Sequence, residues 1–204
     1  MSLGFRALAG IIGAGLLCAA QALAQVAAGG AVWEWQNPKP VGARLLRVQF
    51  VTSAVGWAVG SNGAVVYTGD GGLSWRGRSP KTAEWLGGLS FVDMEYGWAA
   101  GGGGGIFHTR DGGKNWKRQV TGVDGYLKDV RFVDRKRGVA VGHDGLILRT
   151  VDGGAVWSRV SSPSGSDLNA VDFYGPSLGW IAGDDGTLLV SVDGGLNWTV
   201  RRLS

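Results

Sequence analysis

The chain has 204 residues, of which 45% are hydrophobic, and it carries a formal net charge of +4 at pH 7. The apolar fraction is that of a protein with a buried core and excludes an intrinsically disordered chain, while the small positive charge gives no indication of nucleic-acid binding. The 38 glycines and ten tryptophans, against five prolines, favour a turn-rich β protein over a helical one.

The N-terminus has the pattern of a secretory signal peptide. Arg6 precedes the apolar run ALAGIIGAGLLCAA, which is too short to span a membrane comfortably, and Ala22-Leu23-Ala24 forms an A-x-A cleavage site. We therefore predict that residues 1–24 are removed during export; a retained N-terminal anchor is the alternative. Because Cys18 would leave with this segment, we expect the exported chain to have no disulfide and no membrane span.

From residue 41 onward the sequence repeats with a period of 41 residues and without insertions. The position of Phe50 returns as Phe91, Phe132 and Phe173. Periods of about 40 to 50 residues are typical of propellers and solenoids. In the first unit, short stretches rich in β-forming residues are separated by Gly or Asp turns and predict four strands. These strands are Leu45–Val51, Gly56–Val59, Ala64–Thr68 and Ser74–Arg78.

Four short antiparallel strands in each unit predict an all-β fold, a β-propeller of four-stranded antiparallel blades. The predicted blades are residues 41–81, 82–122, 123–163 and 164–204. Residues 25–40 form an N-terminal segment in which AVWEWQNPKP (31–40) resembles the fourth strand of a blade, as a closing strand would. The last unit already has its own fourth strand and does not need the closing strand. We therefore expect the four blades to be part of a larger, seven-bladed ring, or to form an open or unusual four-bladed closure.

The most regular feature of the repeats is the motif Asp-Gly-Gly-x-x-Trp. We expect the glycines to allow a tight turn, the Asp to accept hydrogen bonds from backbone N–H groups and the Trp to pack between blades. One carboxylate per turn is too few for a calcium loop, and equivalent residues on separate blades do not form a catalytic pair. The residues with this structural role are Asp70, Gly72, Trp75, Asp111, Gly113, Trp116, Asp152, Gly154, Trp157, Asp193, Gly195 and Trp198.

These units resemble the Asp-box, or BNR, repeats of sialidase-like propellers, S/T-x-D-G-G-x-x-W; the third copy departs from the pattern at Val156. Over residues 33–204 the longer pattern F-(x5)-G-W-A-V-G-(x2)-G-x-(V/I)-(x2)-T-x-D-G-G-x-x-W resembles the photosystem II assembly and stability factor family. The resemblance implies an exported, non-enzymatic, seven-bladed propeller that binds a membrane-protein or peptide partner during assembly. It also implies a periplasmic location, or the thylakoid lumen side in a photosynthetic host.

A glycan-binding or glycan-cleaving propeller is the alternative function. Sialidases share the Asp-box, but their Arg-Ile-Pro motif is absent from this sequence. Xyloglucan-cleaving endoglucanases that carry such boxes use two opposed aspartates between two propellers, which this chain is too short to build. We therefore predict no catalytic residue and no cofactor. We also predict no metal site, because His143 has no second His or Cys nearby.

Two groups of residues outside the repeated motif are candidates for partner binding. The antiparallel order places one group beside the Asp-Gly-Gly turns, at what we call the Asp-box end, and the other at the opposite, loop-rich end. The first is a basic group that suits an acidic protein segment or lipid head groups. The second suits a sugar or a peptide. For both groups, ordinary solvated surface residues are the alternative interpretation. The first group is Arg110, Lys114, Arg135, Lys136 and Arg137; the second is Trp85, Tyr126, His143, Asp184 and Asp185.

Overall fold

The computed structural model describes residues 42–201, which form four antiparallel sheets of four strands each. The predicted all-β propeller architecture is confirmed. The signal peptide and the closing strand proposed at 31–40 lie outside the described residues. Within residues 42–201, no helix has the length and apolar character needed to cross a membrane.

In each blade the strands pair in chain order, from the innermost first strand to the outermost fourth. Blade 1 contains β1 (Leu45–Phe50), β2 (Gly56–Gly60), β3 (Val65–Thr68) and β4 (Arg76–Gly77). Blade 2 contains β5 (Leu86–Phe91), β6 (Gly97–Gly101), β7 (Ile106–Thr109) and β8 (Lys117–Gln119). Blade 3 contains β9 (Leu127–Phe132), β10 (Gly138–Gly142), β11 (Ile147–Thr150) and β12 (Ser158–Val160), with a short 3-10 turn at His143–Gly145. Blade 4 contains β13 (Leu168–Tyr174), β14 (Leu178–Gly183), β15 (Leu188–Ser191) and β16 (Thr199–Val200).

The fourth strand of the first blade is shorter than predicted. Its start moves from Ser74 to Arg76 because the backbone N–H and the hydroxyl of Ser74 both donate hydrogen bonds to the carboxylate of Asp70. These bonds hold Ser74 in the turn, so it cannot pair with β3. The other three predicted strands of the blade agree with the structure to within one residue.

A glycine at the start of each second strand makes room for the phenylalanine at the end of the first. A Cβ atom added to Gly97 would lie only 2.3 Å from the ring of Phe91, and the same crowding occurs between Gly138 and Phe132. The ring therefore packs flat on the backbone of the neighbouring strand. Any larger residue at this position would displace the ring from the core.

Aromatic stacking joins consecutive blades. Trp57 of β2 stacks on Phe91 of blade 2 with ring centroids 3.7 Å apart, and its indole N–H donates to the carbonyl of Gly112 at 2.9 Å. Trp98 repeats both contacts with Phe132 and Gly153 of blade 3. At the third boundary Val139 replaces the Trp, and the guanidinium of Arg149 donates to the carbonyl of Gly194 instead. Each boundary thus buries one apolar cluster.

Candidate functional site

The aspartates of the Asp-box turns are enclosed by hydrogen bonds from their own turns. In blade 2, one carboxylate oxygen of Asp111 accepts from the Thr109 hydroxyl and the Asn115 backbone N–H, both at 2.9 Å. The other oxygen accepts from the Asn115 side-chain amide at 2.8 Å. Hydrogen bonds of this kind, chiefly from Ser74 and Asn197, lower the pKa of Asp70 and of Asp193 to about 2. The carboxylates therefore act as turn-closing acceptors.

The tryptophans of the same turns pack edge-on against the Phe of their own blade, and in blades 2 and 3 the indole N–H also bonds to the preceding blade. Trp116 contacts the ring of Phe91 edge-on, with centroids 6.1 Å apart, and its indole N–H donates to the carbonyl of Arg78 in blade 1 at 2.8 Å. Trp157 has the same edge-on arrangement with Phe132. In blade 3, where Val156 replaces the usual polar residue, only its backbone N–H reaches Asp152.

At the Asp-box end, two of the five predicted basic residues are paired with acids. Arg135 lies 2.7 Å from Asp93 of the neighbouring blade, and its guanidinium carbon is 3.9 Å from the centroid of Tyr96. Arg137 binds Asp134 of its own turn at 2.6 Å. The remaining three are exposed and form no ion pair within the described part of the chain; these are Arg110, Lys114 and Lys136. The positive charge at this end is therefore partly neutralised by blades 2 and 3 themselves.

The loop-rich end has a constant backbone frame that carries different side chains in each blade. The residue before each first strand accepts, through its carbonyl, a hydrogen bond from a backbone N–H of the turn between the second and third strands. The pairs are Arg44 with Ser61, Trp85 with Gly102, Tyr126 with His143 and Asp167 with Asp184, at 2.8 to 3.0 Å. A fixed frame with variable side chains is the usual arrangement of a binding surface.

Three of these side chains form what we call the aromatic row, which consists of Trp85, Tyr126 and His143. The rings of Trp85 and Tyr126 are 4.8 Å apart, and those of Tyr126 and His143 are 5.1 Å apart. Gly102 lies beside the row: a Cβ there would be 3.5 Å from the Tyr126 ring, an ordinary van der Waals contact. Trp85 and Tyr126 are half-buried, so each ring keeps part of its surface open to solvent.

Acidic residues continue the row into blade 4. Asp167 accepts from the Lys128 ammonium at 2.9 Å and from the backbone N–H of Asp144 at 3.0 Å, and these bonds lower the pKa of Asp167. The His143 imidazole is 3.8 Å from the same carboxylate. Asp184 accepts from the side-chain amide of Asn169. The exposed end of blade 4 is thus a network of carboxylates that is partly neutralised by Lys128.

Asp144 and Asp185 also have a backbone role. Both adopt left-handed φ angles, 52° and 54°, at the turn position that Asn62 and Gly103 occupy in blades 1 and 2. Asn, Asp and Gly tolerate this conformation best. The turn therefore accounts for the residue type at these two positions, while their exposed carboxylates remain available to a ligand.

Sequence reasoning missed a charged pair near the propeller axis. Asp129, in the middle of β9, is buried, forms an ion pair with Arg47 of β1 and accepts the backbone N–H of Val171 at 3.1 Å. Burial raises the pKa of Asp129, and the guanidinium of Arg47 opposes that shift. These residues line a central cavity of about 370 Å³. The available signal was a carboxylate at a repeat position that is Gly88 in blade 2 and Ala170 in blade 4.

Comparison with known proteins bears on both the fold and the family. The family model described as photosynthesis system II assembly factor YCF48 matches residues 25–122 and 116–204. The structure of YCF48 bound to a D1 peptide is 20% identical, with a TM-score of 0.54, over 79% of this chain and 82% of that one. YCF48 from Cyanidioschyzon merolae is 23% identical, with a TM-score of 0.65, over 82% of this chain and 59% of that one.

Glycan-degrading enzymes share the fold as well. The GH74 xyloglucanase from Xanthomonas campestris is 14% identical, with a TM-score of 0.60, over 78% of this chain and 30% of that one. Comparison with curated proteins gives no match. At these identities the solved structures show the propeller fold alone, whereas the two matches of the family model together cover residues 25–204.

Proposed function

The chain belongs to the photosynthesis system II assembly factor YCF48 family, and on that premise we propose that it binds a peptide segment of a partner protein as a non-catalytic assembly factor. The observation that carries the proposal is the aromatic row on the constant frame of the loop-rich end. A YCF48 has been solved with a D1 peptide, which supports a peptide as the class of ligand.

The chemistry of the loop-rich end indicates what such a peptide would contain. The open faces of Trp85 and Tyr126 suit an apolar or aromatic side chain, because large planar rings bury much surface with little loss of side-chain entropy. The exposed carboxylates of Asp144, Asp184 and Asp185 suit a Lys or Arg close to that side chain. We therefore propose a segment that combines an aromatic or apolar residue with a basic one.

One observation supports a binding role over catalysis at this end. Glycosidases need one carboxyl with a raised pKa as general acid beside an ionised one. Asp167 instead has a lowered pKa, since Lys128 and the backbone of Asp144 stabilise its charged form. The A-x-A pattern that ends at Ala24 supports export to the periplasm, or to the thylakoid lumen side in a photosynthetic host.

The basic group at the Asp-box end is a second proposed contact surface. Arg110, Lys114 and Lys136 are exposed without an ion pair in residues 42–201, whereas Arg135 and Arg137 would have to exchange their acidic partners for the ligand. This exchange reduces the net gain from binding an acidic segment. We therefore place the principal peptide contact on the aromatic row.

The experiment is a fluorescence anisotropy titration of labelled D1 peptide with the purified chain. Trp85→Ala and Tyr126→Ala should each weaken binding about tenfold or more, because truncation of a central aromatic contact typically costs at least that much. The matched controls are Tyr174→Ala, an exposed aromatic at the opposite end, and the double variant Arg110→Ala/Lys136→Ala. Both should bind like the parent.

Loss of binding in the Arg110/Lys136 variant, with Trp85→Ala unchanged, would move the site to the Asp-box end. A parent chain that fails to bind the peptide but binds or hydrolyses xyloglucan oligosaccharides would contradict the proposal. In that case the aromatic row would stack on sugar rings, which is the alternative function that the likeness to GH74 enzymes supports.

A further inference from the structure

The boundary between blades 1 and 2 and the boundary between blades 2 and 3 are built from the same pair of complementary surfaces, whereas Val139 replaces the Trp at the third boundary. We call the surface that each blade turns toward the next blade its leading side. There a Trp of the second strand stacks on the Phe of the next blade, as Trp57 does on Phe91. The indole N–H of this Trp also donates to the carbonyl of the first Gly in the Asp-box turn of the next blade, which for Trp57 is Gly112. The residue that precedes the Phe in one blade accepts a hydrogen bond from the backbone N–H of the Phe in the next blade. Gln49 accepts from Phe91 at 2.7 Å, and Ser90 accepts from Phe132 at 2.9 Å.

Blade 4 presents the leading side of this boundary without a partner blade. Trp180 occupies the position of Trp57 and Trp98, which are 0% exposed, yet 37% of its own surface is accessible. Asp172 occupies the position of Gln49 and Ser90, and its side chain is largely exposed beside Arg131. The stacking ring is thus present and partly exposed at the central cavity, and the acceptor is present as an exposed carboxylate that forms an ion pair with Arg131 at 3.0 Å.

Blade 1 presents the other side of the boundary, also uncovered. Phe50 is 42% exposed, whereas its equivalents Phe91 and Phe132 are 4% and 3% exposed. Leu45 and Val48 of the same strand are exposed as well, although the equivalent residues of the other three blades are buried. Since Trp180 and Phe50 are exposed together, blade 4 does not pack on blade 1 of its own chain, and no core cluster of residues 42–201 joins the two blades.

We propose that blade 4 of one copy of the chain packs on blade 1 of a second copy. The indole of Trp180 stacks on Phe50 of the other copy and donates to its Gly71 carbonyl, the equivalent of Gly112. The carboxylate of Asp172 accepts the backbone N–H of Phe50. Two such contacts, one from each copy, join eight blades in a two-fold ring and cover the Phe50 and Trp180 surfaces of both copies. The interface repeats the contacts that join blades 1 and 2 and blades 2 and 3 within the chain.

The test is the mass of the purified chain in solution, measured by light scattering after size-exclusion chromatography. The parent should be a dimer. Trp180→Glu and Phe50→Glu should each give a monomer. In a dimer of either variant, each of the two contacts between Trp180 and Phe50 positions would contain one Glu, which places a charge in an apolar boundary. An equimolar mixture of the two variants should recover a dimer, since one of its two contacts then carries only parent residues.

Two matched controls test whether a surface charge alone disrupts the dimer. Val120→Glu and Val156→Glu place the same charge on exposed valines of blades 2 and 3, away from both ends, and should remain dimeric. Asp172→Lys keeps the core intact and serves if the Glu variants fail to fold; it should raise the dimer dissociation constant at least tenfold. A monomeric parent, a dimer that survives these end substitutions, or a mixture that stays monomeric would each overturn the proposal.

Discussion

The indole ring of Trp98 in blade 2 lies parallel to the phenyl ring of Phe132 in blade 3, with the ring centroids 3.5 Å apart. Both side chains are buried, and the indole N–H also bonds to the carbonyl of Gly153. A single side chain therefore combines stacking, burial and a hydrogen bond at the boundary between two blades. The same contact, made by Trp57 and Phe91, joins blades 1 and 2, so it links the blades at two of the three boundaries.

Trp98→Ala should lower the free energy of unfolding by about 3–5 kcal/mol, because truncating a buried Trp removes its apolar burial and leaves a cavity. Denaturant unfolding followed by circular dichroism measures the change. Tyr174→Ala is the control: this side chain is 79% exposed, so the change should stay within about 0.5 kcal/mol. Equal losses in the two variants would contradict a special role for the stacked pair.

Val156→Asn should stabilise the protein by about 0.5–1 kcal/mol. At the equivalent positions, Asn115 and Asn197 donate side-chain hydrogen bonds at 2.8 Å to the second carboxylate oxygen of their Asp, and Val156 provides no such donor to Asp152. The melting temperature by calorimetry measures the gain. Val120→Asn, at another exposed valine, should leave it unchanged; a similar rise there would mean that the Asp152 bond is not the cause.

Asp111→Ala should destabilise the protein by about 1–3 kcal/mol, because the donors that this carboxylate satisfies lose their partner. Asp124→Ala removes an exposed carboxylate with no hydrogen bond or ion pair in residues 42–201. It is the matched control and should change the free energy of unfolding little.

Since both oxygens of Asp111 already accept hydrogen bonds, EDTA should leave the melting temperature of the parent unchanged. A large fall in the melting temperature on addition of EDTA would indicate a metal in these turns.

His108 should make stability depend on pH between about 6.5 and 4. Its ring is stacked on Trp98, and burial lowers the pKa of the imidazole from 6.5 to about 4. The unfolded chain therefore takes up the proton first as pH falls, so the stability contributed by neutral His108 is full above pH 6.5 and decreases toward pH 4.

The matched variant is His108→Tyr, because Tyr67 occupies the same position in blade 1. It should flatten the profile of unfolding free energy against pH in this window, as measured by urea unfolding at half-unit intervals. An unchanged slope would show that other groups cause the dependence. Above pH 7 the slope of unfolding free energy against pH should be the same in both proteins.

The period of 41 residues was sufficient to predict the propeller architecture and, in blade 1, three of the four strands to within one residue. These features depend on contacts within a few residues of the chain, such as the bonds between Asp111 and Asn115, or on neighbouring strands such as those of Phe91 and Gly97. The local sequence contains all the atoms involved. The error at Ser74 arose because its turn bonds to Asp70 prevail over its tendency to extend the strand.

The amino-acid sequence was therefore enough to specify the repeated blade and its turns, because each unit carries its own strands, glycines and turn acceptors. It also grouped the candidate residues at each end, but which of them touch depends on the tertiary structure. The tertiary structure brings Trp85 to Tyr126, and Arg135 to Asp93, across pairs of residues that are about 41 positions apart in the chain. It also shows that Trp180 and Phe50, identical in type to buried residues of other blades, are exposed. The physical reason is that burial and pairing between blades depend on which surface lies opposite, and that is a property of the assembled blades.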